Sequence, residues 1–560
     1  MAAQGIDPRR LLLASAVGLT LWVGATFLWH VTWGTGMTLA VMLLLDQDFP
    51  ALLIGILALV LLTPLGVGGS WKLPPPTART VLPLVVLFAL AAWAGHYLLF
   101  QDYALSRDEE VARFAAAYLK DGMLARPIPP EWQLYRRAIM PEFFAPYGVG
   151  HYWAAAYLPI NSAIQAVFWR LGDPNLAQPA LLMGGLIALW RIALRLFPDR
   201  PDAVWAALLL GFTSTQLWVT AMTPYAMTGH FALNLLWLAL VLRGGWAGHA
   251  GAGIVAIFAA GLHQWHFPPI FIAPFILWML LARRWGAAAF HIAVLVAIVV
   301  IWAKLWPALL LDQLGPPADV RPSAGVVDKV GSLFGRLADK WQPLISLTRF
   351  AAWNNLLLAP LALVGMATID WRRAIRGQDI ALPLALASIV GCSLALAQGY
   401  GWGFRYAHGL IGPLCLLGGL GYLRLRTGHG MRLLWLSCGV ALMTAGFLVW
   451  RTHVFVAPYA ASHRMIRDSG ADVVLIDPRG GLFVTDLVRG ANGVPGDPMV
   501  MNLGMLRMEQ VEQLCADYSV ALFDRTEFRR VGVPLARWNY SRTDALRRRM
   551  DRLGCERRVF

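Results

Sequence analysis

Apolar stretches of about 17 to 22 residues recur along this chain, the length an α-helix needs to cross a hydrocarbon core. They begin near Leu11, Ala51, Thr80, Leu176, Ala203, Ala226, Ala250, Pro268, Ala287, Ala351, Ala381, Ala407 and Met431. Each is expected to be helical, because an open strand edge in lipid would leave backbone polar groups unpaired. The apolar runs stop near Pro458. Beyond it, short apolar stretches at 471–477, 498–503 and 520–524 alternate with a helix-like stretch from Met508 to Tyr518, the pattern of a small α/β unit. The chain therefore reads as a polytopic α-helical membrane protein of about 13 transmembrane helices with a small C-terminal α/β soluble domain. Residues 1–456 form the membrane domain and 457–560 the soluble, extracytoplasmic one.

Composition agrees with this pattern. Hydrophobic residues make up 58% of the 560 positions and charged residues only 14%, against roughly a quarter charged in soluble domains. The net charge of +15 raises the question of nucleic acid. The basic residues collect at helix ends and in the tail, however, where membrane lipids and topology account for them, so no nucleic-acid partner is expected. Trp and Tyr suit the interfacial belts of a bundle. The first apolar segment follows Arg9 and Arg10 without a small-residue cleavage pattern and reads as an uncleaved anchor. No internal repeat is visible.

Short Arg/Lys-bearing loops face the cytoplasm. Arg9-Arg10, Lys72 with Arg79, Arg191 to Arg200, Arg243, Arg283-Arg284, Arg372 to Arg376 and Arg424 to Arg432 all fall on one side of the predicted spans. The N-terminus is then cytoplasmic and the C-terminal domain periplasmic or extracellular, as in a multi-pass protein of the inner (plasma) membrane. This holds if 151–170 does not cross. That stretch contains Pro159, Asn161, Ser162 and Gln165 and is expected to be interfacial or re-entrant. The segment Val31 to Leu45 carries a smaller ambiguity of the same kind.

The opposite face collects the reactive residue types. A first large outer loop, about 101–150, carries Asp102, Asp108, Glu109 and Glu110. Shorter outer turns carry Thr223 to His230 with Tyr225, then His263 and His266, then Tyr400 to His408 with Arg405 and Tyr406. A second large outer loop covers about 306–350. Polar groups at membrane depth are expensive and tend to mark a site. Asp108, Glu109 and Glu110 open an amphipathic helix, and capping is the competing explanation for them, since acidic residues favour helix N-termini whatever the function.

The arrangement resembles the GT-C superfamily of polyprenyl-phosphate-sugar-dependent membrane glycosyltransferases, the group that includes protein O-mannosyltransferases and the lipid A aminoarabinose transferase. Asp108-Glu109 take the place of that family's Asp-Glu pair in the first large outer loop. Phe144 to Trp153 resembles its aromatic juxtamembrane segment, Arg191 to Arg200 its basic turn, Thr223 to His230 its second polar outer turn, and Tyr400 to His408 its late Gly-rich motif. The resemblance spans most of 101–424 in short, degenerate motifs. It departs in two respects: the first outer loop follows the third span, and His263 and His266 stand where relatives often carry Lys or Arg. The second departure leaves the phosphate-binding groups, and with them the exact donor, open.

The resemblance implies transfer of a sugar from a polyprenyl-phosphate donor to a lipid, glycan or protein acceptor on the outer face. Such transfer needs a carboxylate to deprotonate the acceptor and positive charge or hydrogen-bond donors on the departing phosphate. Asp108 is the expected base, and Glu109 would orient the acceptor or hold a neighbouring divalent cation. Asp102 is the reserve carboxylate. Arg405 suits phosphate through its planar fork, with His263 and His266 as donors or proton carriers. Tyr225, His230, Tyr406 and His408 complete the expected substrate-binding set. His263 and His266 are three apart, so a helix would place them on one face for a metal, but no third ligand lies nearby in sequence and no metal site is expected. Two other classes fit the spans: a lipid or sugar transporter or flippase, which should show repeat symmetry, and a non-catalytic subunit of an envelope-polysaccharide assembly complex. Cys515 and Cys555 stand where a disulfide is permitted in an oxidising compartment. Gly480-Gly481 reads as a turn, and Arg547 to Arg549 as a solvated helix face.

Overall fold

A computed structural model describes residues 5–33, 39–62, 73–140, 144, 147–148, 151–316, 342–394, 401–425, 430–489, 497–534 and 541–555. Residues 34–38 of the Val31 to Leu45 segment, Lys72, most of the expected second outer loop at 317–341, part of the juxtamembrane motif at 145–146 and 149–150, Tyr400, and part of the basic turn at 426–429 lie outside the described residues.

Among the described residues, six helices are long and apolar enough to cross a membrane: Pro8–Thr32, Leu39–Leu62, Ala78–Leu99, Pro174–Leu196, Trp285–Leu314 and Gly430–Arg467. A bent pair, Leu344–Trp353 and Leu358–Ala367, meets at 107° and would make a seventh. Five of the expected crossings are instead apolar helices of 10–17 residues: Pro201–Phe212, Met227–Arg243, Gly245–Ala260, Phe267–Leu281 and Ala381–Ser393. The reason is legible for the first of them. Thr213 donates its hydroxyl to the Leu209 carbonyl at 2.6 Å, and Ser214 caps a new short helix, Thr215–Thr220, by accepting from Leu217 N. Hydroxyl side chains that compete for backbone groups end one helix and begin another.

The bent pair starts earlier than the sequence reading allowed. Its first helix, Gln342–Trp353, takes up the end of the stretch expected to be outer loop. Asn354 and Asn355 make the break tolerable. Asn354 Oδ1 accepts from the Ser214 hydroxyl at 2.6 Å, and Asn355 Oδ1 accepts from Leu357 N at 3.0 Å. Non-helical backbone at membrane depth requires such partners. The second helix packs closely on Ile411–Tyr422. A methyl at Gly365 would stand 2.1 Å from the Leu417 carbonyl oxygen, and one at Gly421 would stand 2.0 Å from that of Leu361, so only glycine permits this approach.

Ile160–Arg170 is an 11-residue helix, about 16 Å long, and is too short to cross. Its polar residues are the ones that tie it down. Asn161 and Gln165 donate to the Pro224 carbonyl at 2.9 and 3.3 Å, and Gln178 donates to Asn161 Oδ1 at 2.7 Å.

One fully buried ion pair lies within the bundle. Arg349 Nε stands 2.9 Å from Asp48 Oδ2, Trp353 Nε1 donates to Asp48 Oδ1, and Arg349 also donates to the Gly401 carbonyl. Gln216 grips the same segment from another side, donating to Phe404 O at 2.7 Å and accepting from Phe404 N at 3.2 Å. The backbone immediately before Arg405 is thereby held by side chains from two other elements.

After the last long helix, Val473–Ile476 forms the centre of a three-stranded parallel sheet, between Met499–Asn502 and Val520–Phe523. All four central residues are buried, which is why they read as an unbroken apolar run. The sheet is not packed on its own helices alone. Val473, Leu475, Met499 and Met501 share a hydrophobic core with Phe114, Tyr118, Tyr135 and Trp153, from the stretch between Ala78–Leu99 and Ile160–Arg170. Cys515 and Cys555 form a disulfide. Of the expected solvated face, Arg548 is exposed, while its neighbours are engaged: Arg547 bonds Asp477 and Asp524, and Arg549 bonds Glu512 at 2.7 Å. Arg479 returns to Asp477, which accounts for the Asp-Pro-Arg-Gly-Gly turn.

Thiol alkylation in denaturant without reductant is expected to label three cysteines, Cys392, Cys415 and Cys438, and all five after reduction. Cys515→Ser should destabilise the C-terminal region by about 2–5 kcal/mol, read as a lowered unfolding transition in detergent. Five labelled thiols before reduction would contradict this pairing.

Candidate active site

Helix Arg107–Lys120 starts from Ser106 with a capping box. Ser106 N donates to Glu109 Oε2 at 2.7 Å, and the Ser106 hydroxyl shares a 2.8 Å hydrogen bond with the Tyr225 hydroxyl. Part of the acidic cluster is therefore capping, as the competing explanation holds. Glu109 is fully buried, and its Oε1 has no hydrogen-bond partner among the described residues. Burial pushes its carboxyl up to about 7 against the opposing hydrogen bonds from Ser106.

Asp108 is differently placed. Its two oxygens accept from the Tyr157 hydroxyl and from the Arg405 guanidinium. The paired Arg405 and Asp108 side chains are only 9% and 10% exposed. Burial alone would raise this carboxyl, but the Arg405 charge and the Tyr157 hydrogen bond outweigh it, and Asp108 is held below the usual carboxylate range. The same burial, with the Asp108 charge beside it, pushes the Tyr157 phenol well up, so Tyr157 stays a donor. Arg405 opens the short helix Arg405–Leu410, and its guanidinium lies over the Tyr225 and Tyr406 rings at 5.4 and 5.2 Å, a cation–π setting that fixes its plane.

Beside this pair lies a wall of histidine and aromatic rings. Tyr157 packs on His263 at 4.2 Å between centroids. Phe267 joins the remainder, with His263 at 6.2 Å, His266 at 4.8 Å, His230 at 5.4 Å and Tyr406 stacked at 5.7 Å. The ring nitrogens of buried His230 and His263 have no hydrogen-bond partner among the described residues. Burial holds His263 down to about 4, so it is a neutral hydrogen-bonding group at pH 7, without resident charge. His263 and His266 do not share a helical face: both lie in the turn before Phe267–Leu281, with His266 as its N-cap. Among the described residues no group of three His, Cys, Asp or Glu is placed to hold a metal ion.

Two expected members stand apart. Asp102 has a 66% exposed side chain and bonds His96 at 2.9 Å and Asn175 at 3.3 Å. Its left-handed φ of 54° turns the chain just before the carboxylate helix. His408 leaves Arg405 behind on the same short helix and faces Gln216 at 3.5 Å and the Phe231 ring. Tyr157 and Phe267 are additions that the sequence reading lacked. Tyr157 sits in a stretch noted only for its failure to cross, and Phe267 resembles any other aromatic at the head of an apolar helix.

No family model matches the chain, and no curated protein matches it. Among solved structures it is similar to ArnT from Cupriavidus metallidurans bound to undecaprenyl phosphate. Identity is 13% and the TM-score 0.43, over 85% of this chain and 88% of that one. The apo state of the same ArnT gives 14% identity and a TM-score of 0.44, over 74% of this chain and 85% of that one.

The Glu109 environment has a measurable consequence. Between its ordinary value of 4.5 and about 7, the folded chain keeps a proton that the unfolded chain has released. Stability should therefore fall as pH rises through that window. Glu109→Gln preserves the capping box, in which Gln serves as well as Glu, and is expected to flatten this slope in thermal unfolding. Glu109→Ala should cost about 1 kcal/mol through the lost cap. A slope in Glu109→Gln equal to that of the wild type would show that Glu109 does not carry it.

Proposed function

We propose that this multi-pass chain is a membrane glycosyltransferase that moves a sugar from a polyprenyl-phosphate donor to a hydroxyl or phosphate acceptor. The observation that carries the proposal is the buried Asp108 carboxylate with Arg405 on one oxygen and the Tyr157 hydroxyl on the other. The motifs around Asp108, Arg191, Thr223 and Arg405 and their resemblance to the GT-C superfamily add to it.

The pair suits transfer because each partner has a use that the other holds in check. With Arg405 against it, Asp108 is a weak base. A lipid phosphate that draws the guanidinium to itself removes the charge that depresses the carboxyl, while the burial that raises it remains. Asp108 then becomes a competent base at the moment donor is bound. The acceptor O–H proton passes to Asp108, and the acceptor oxygen bonds to the anomeric carbon. The bond from that carbon to the phosphate oxygen breaks, and the phosphate leaves with the electron pair, stabilised by Arg405. The polar rings of Tyr225, Tyr406, His230, His263 and His266 would line the sugar and phosphate positions, with His408 and Asp102 further out. Glu109 would orient the acceptor through Oε1 or share a divalent cation with it.

In this reading the shorter apolar helices cross only together with the turns and short helices that continue them, as Thr215–Thr220 continues Pro201–Phe212, and so complete a bundle of about thirteen crossings. The N-terminus is cytoplasmic, and the sheet region lies outside as an extracytoplasmic domain, where its disulfide is chemically at home.

Asp108→Asn keeps the size of the side chain and removes the base. Sugar transfer from a labelled polyprenyl-phosphate donor in detergent is expected to fall by ~10²–10⁴-fold in protein that is still folded at the assay temperature, with the unfolding temperature lowered because Arg405 loses the charge it faces. Transfer at the wild-type rate would overturn the assignment of Asp108.

A further inference from the structure

We infer that Arg489 and Asp486, from the C-terminal sheet region, are positioning residues for the helix that carries Asp108. The inference rests on the reading of Asp108 as the reactive base.

The contacts fall on both sides of Asp108. Arg489 donates to Glu110 Oε2 at 2.7 Å and to the Ala104 carbonyl, and its guanidinium lies 4.1 Å from the Tyr103 ring centroid. Asp486 accepts from Arg107 N at 3.0 Å and stands 3.1 Å from Arg107 Nε. Residues 379 positions away in sequence thus grip the helix start at 107 and 110 and the strand of chain leading into it at 103–104. Asp486, Arg489 and Glu110 are all buried.

The gripping segment is itself anchored. Asp486 lies in the short helix Val484–Leu487, which follows Phe483 at a left-handed φ of 54°. The Phe483 ring packs on Phe455 and Tyr459 of the last long helix at 6.3 and 6.2 Å. A bulky residue in this conformation persists only where its surroundings impose it.

Buried ion pairs are poor stabilisers compared with apolar packing of the same volume, and their best-attested use is to set register. The shared apolar core already joins the sheet region to the segment around Phe114 and Trp153. What the charged contacts add is rotation: successive helical residues point about 100° apart, so a turn of the helix about its axis would swing Asp108 off Arg405. A misplacement of about 1 Å at a reacting group costs up to ~10²-fold in rate.

The test uses the full chain in detergent with a labelled polyprenyl-phosphate sugar donor. Arg489→Gln and Glu110→Gln are each expected to lower kcat by ~10- to 100-fold, with the KM for donor changed less than about threefold. Arg489→Lys should recover most of the loss, and the double variant should be no worse than either single one. Hydrogen exchange of amides 107–112 should quicken in Arg489→Gln while the unfolding temperature of the bundle holds. Wild-type kcat in Arg489→Gln, or equal loss in the Lys and Gln variants, would overturn the inference and leave the Asp108 reading standing. If the wild type itself transfers no sugar, the enzyme reading falls instead. Exchange then still reports the grip, and unchanged protection in Arg489→Gln overturns it.

Discussion

The Asp108–Arg405 contact joins two segments 297 residues apart in sequence, and much of the surrounding structure serves to bring them together. Each partner would be costly to bury alone, since an unpaired charge out of water is among the most expensive groups in a fold. Together they are tolerable only if the geometry is held. Gln216 and Arg349 hold the backbone before Arg405, and the Ser106 cap with the Tyr225 hydroxyl holds the start of the helix bearing Asp108. Removing any of these supports loosens a pair that tolerates little looseness.

The site is consequently an assembly of turns on a rigid frame. Asp108 comes from the helix Arg107–Lys120, Tyr157 from the segment before a short one, His263 and His266 from a turn, and Arg405 from a short helix late in the chain. The broken helices near it make this possible. Short helices end at membrane depth where Thr213, Ser214, Asn354 and Asn355 satisfy the interrupted backbone, and each end releases a turn that can carry a polar residue.

How much of this was readable beforehand follows from the physics of each residue. Asp108, Arg405, Tyr225, Tyr406, His230, His263 and His266 could be picked out because polar residues between apolar runs are conspicuous, and the structure brings them into one neighbourhood. Asp102 was equally conspicuous in sequence but lies apart with His96 and Asn175. Nothing in a linear pattern tells a solvated carboxylate from a largely buried, paired one. Tyr157 and Phe267 were invisible for the opposite reason, since aromatic residues are abundant in such bundles and their role depends on which ring lies opposite. The Asp48–Arg349 pair was missed because both residues sit beside apolar runs and reveal their burial only when paired.

Period and composition alone determined that this chain is a helical membrane protein whose C-terminal stretch alternates short strands with helices. Those properties follow from local rules: the length of an apolar run, the cost of an unpaired backbone group, the alternation of short strands with helices. Tertiary structure alone decided which helices are interrupted, that the C-terminal sheet shares its core with the segment around Phe114 and Trp153, and that Arg489 and Asp486 reach Glu110 and Arg107. These are contacts between residues hundreds of positions apart. Their energies depend on distance and on what water is excluded, and neither quantity is written along the chain.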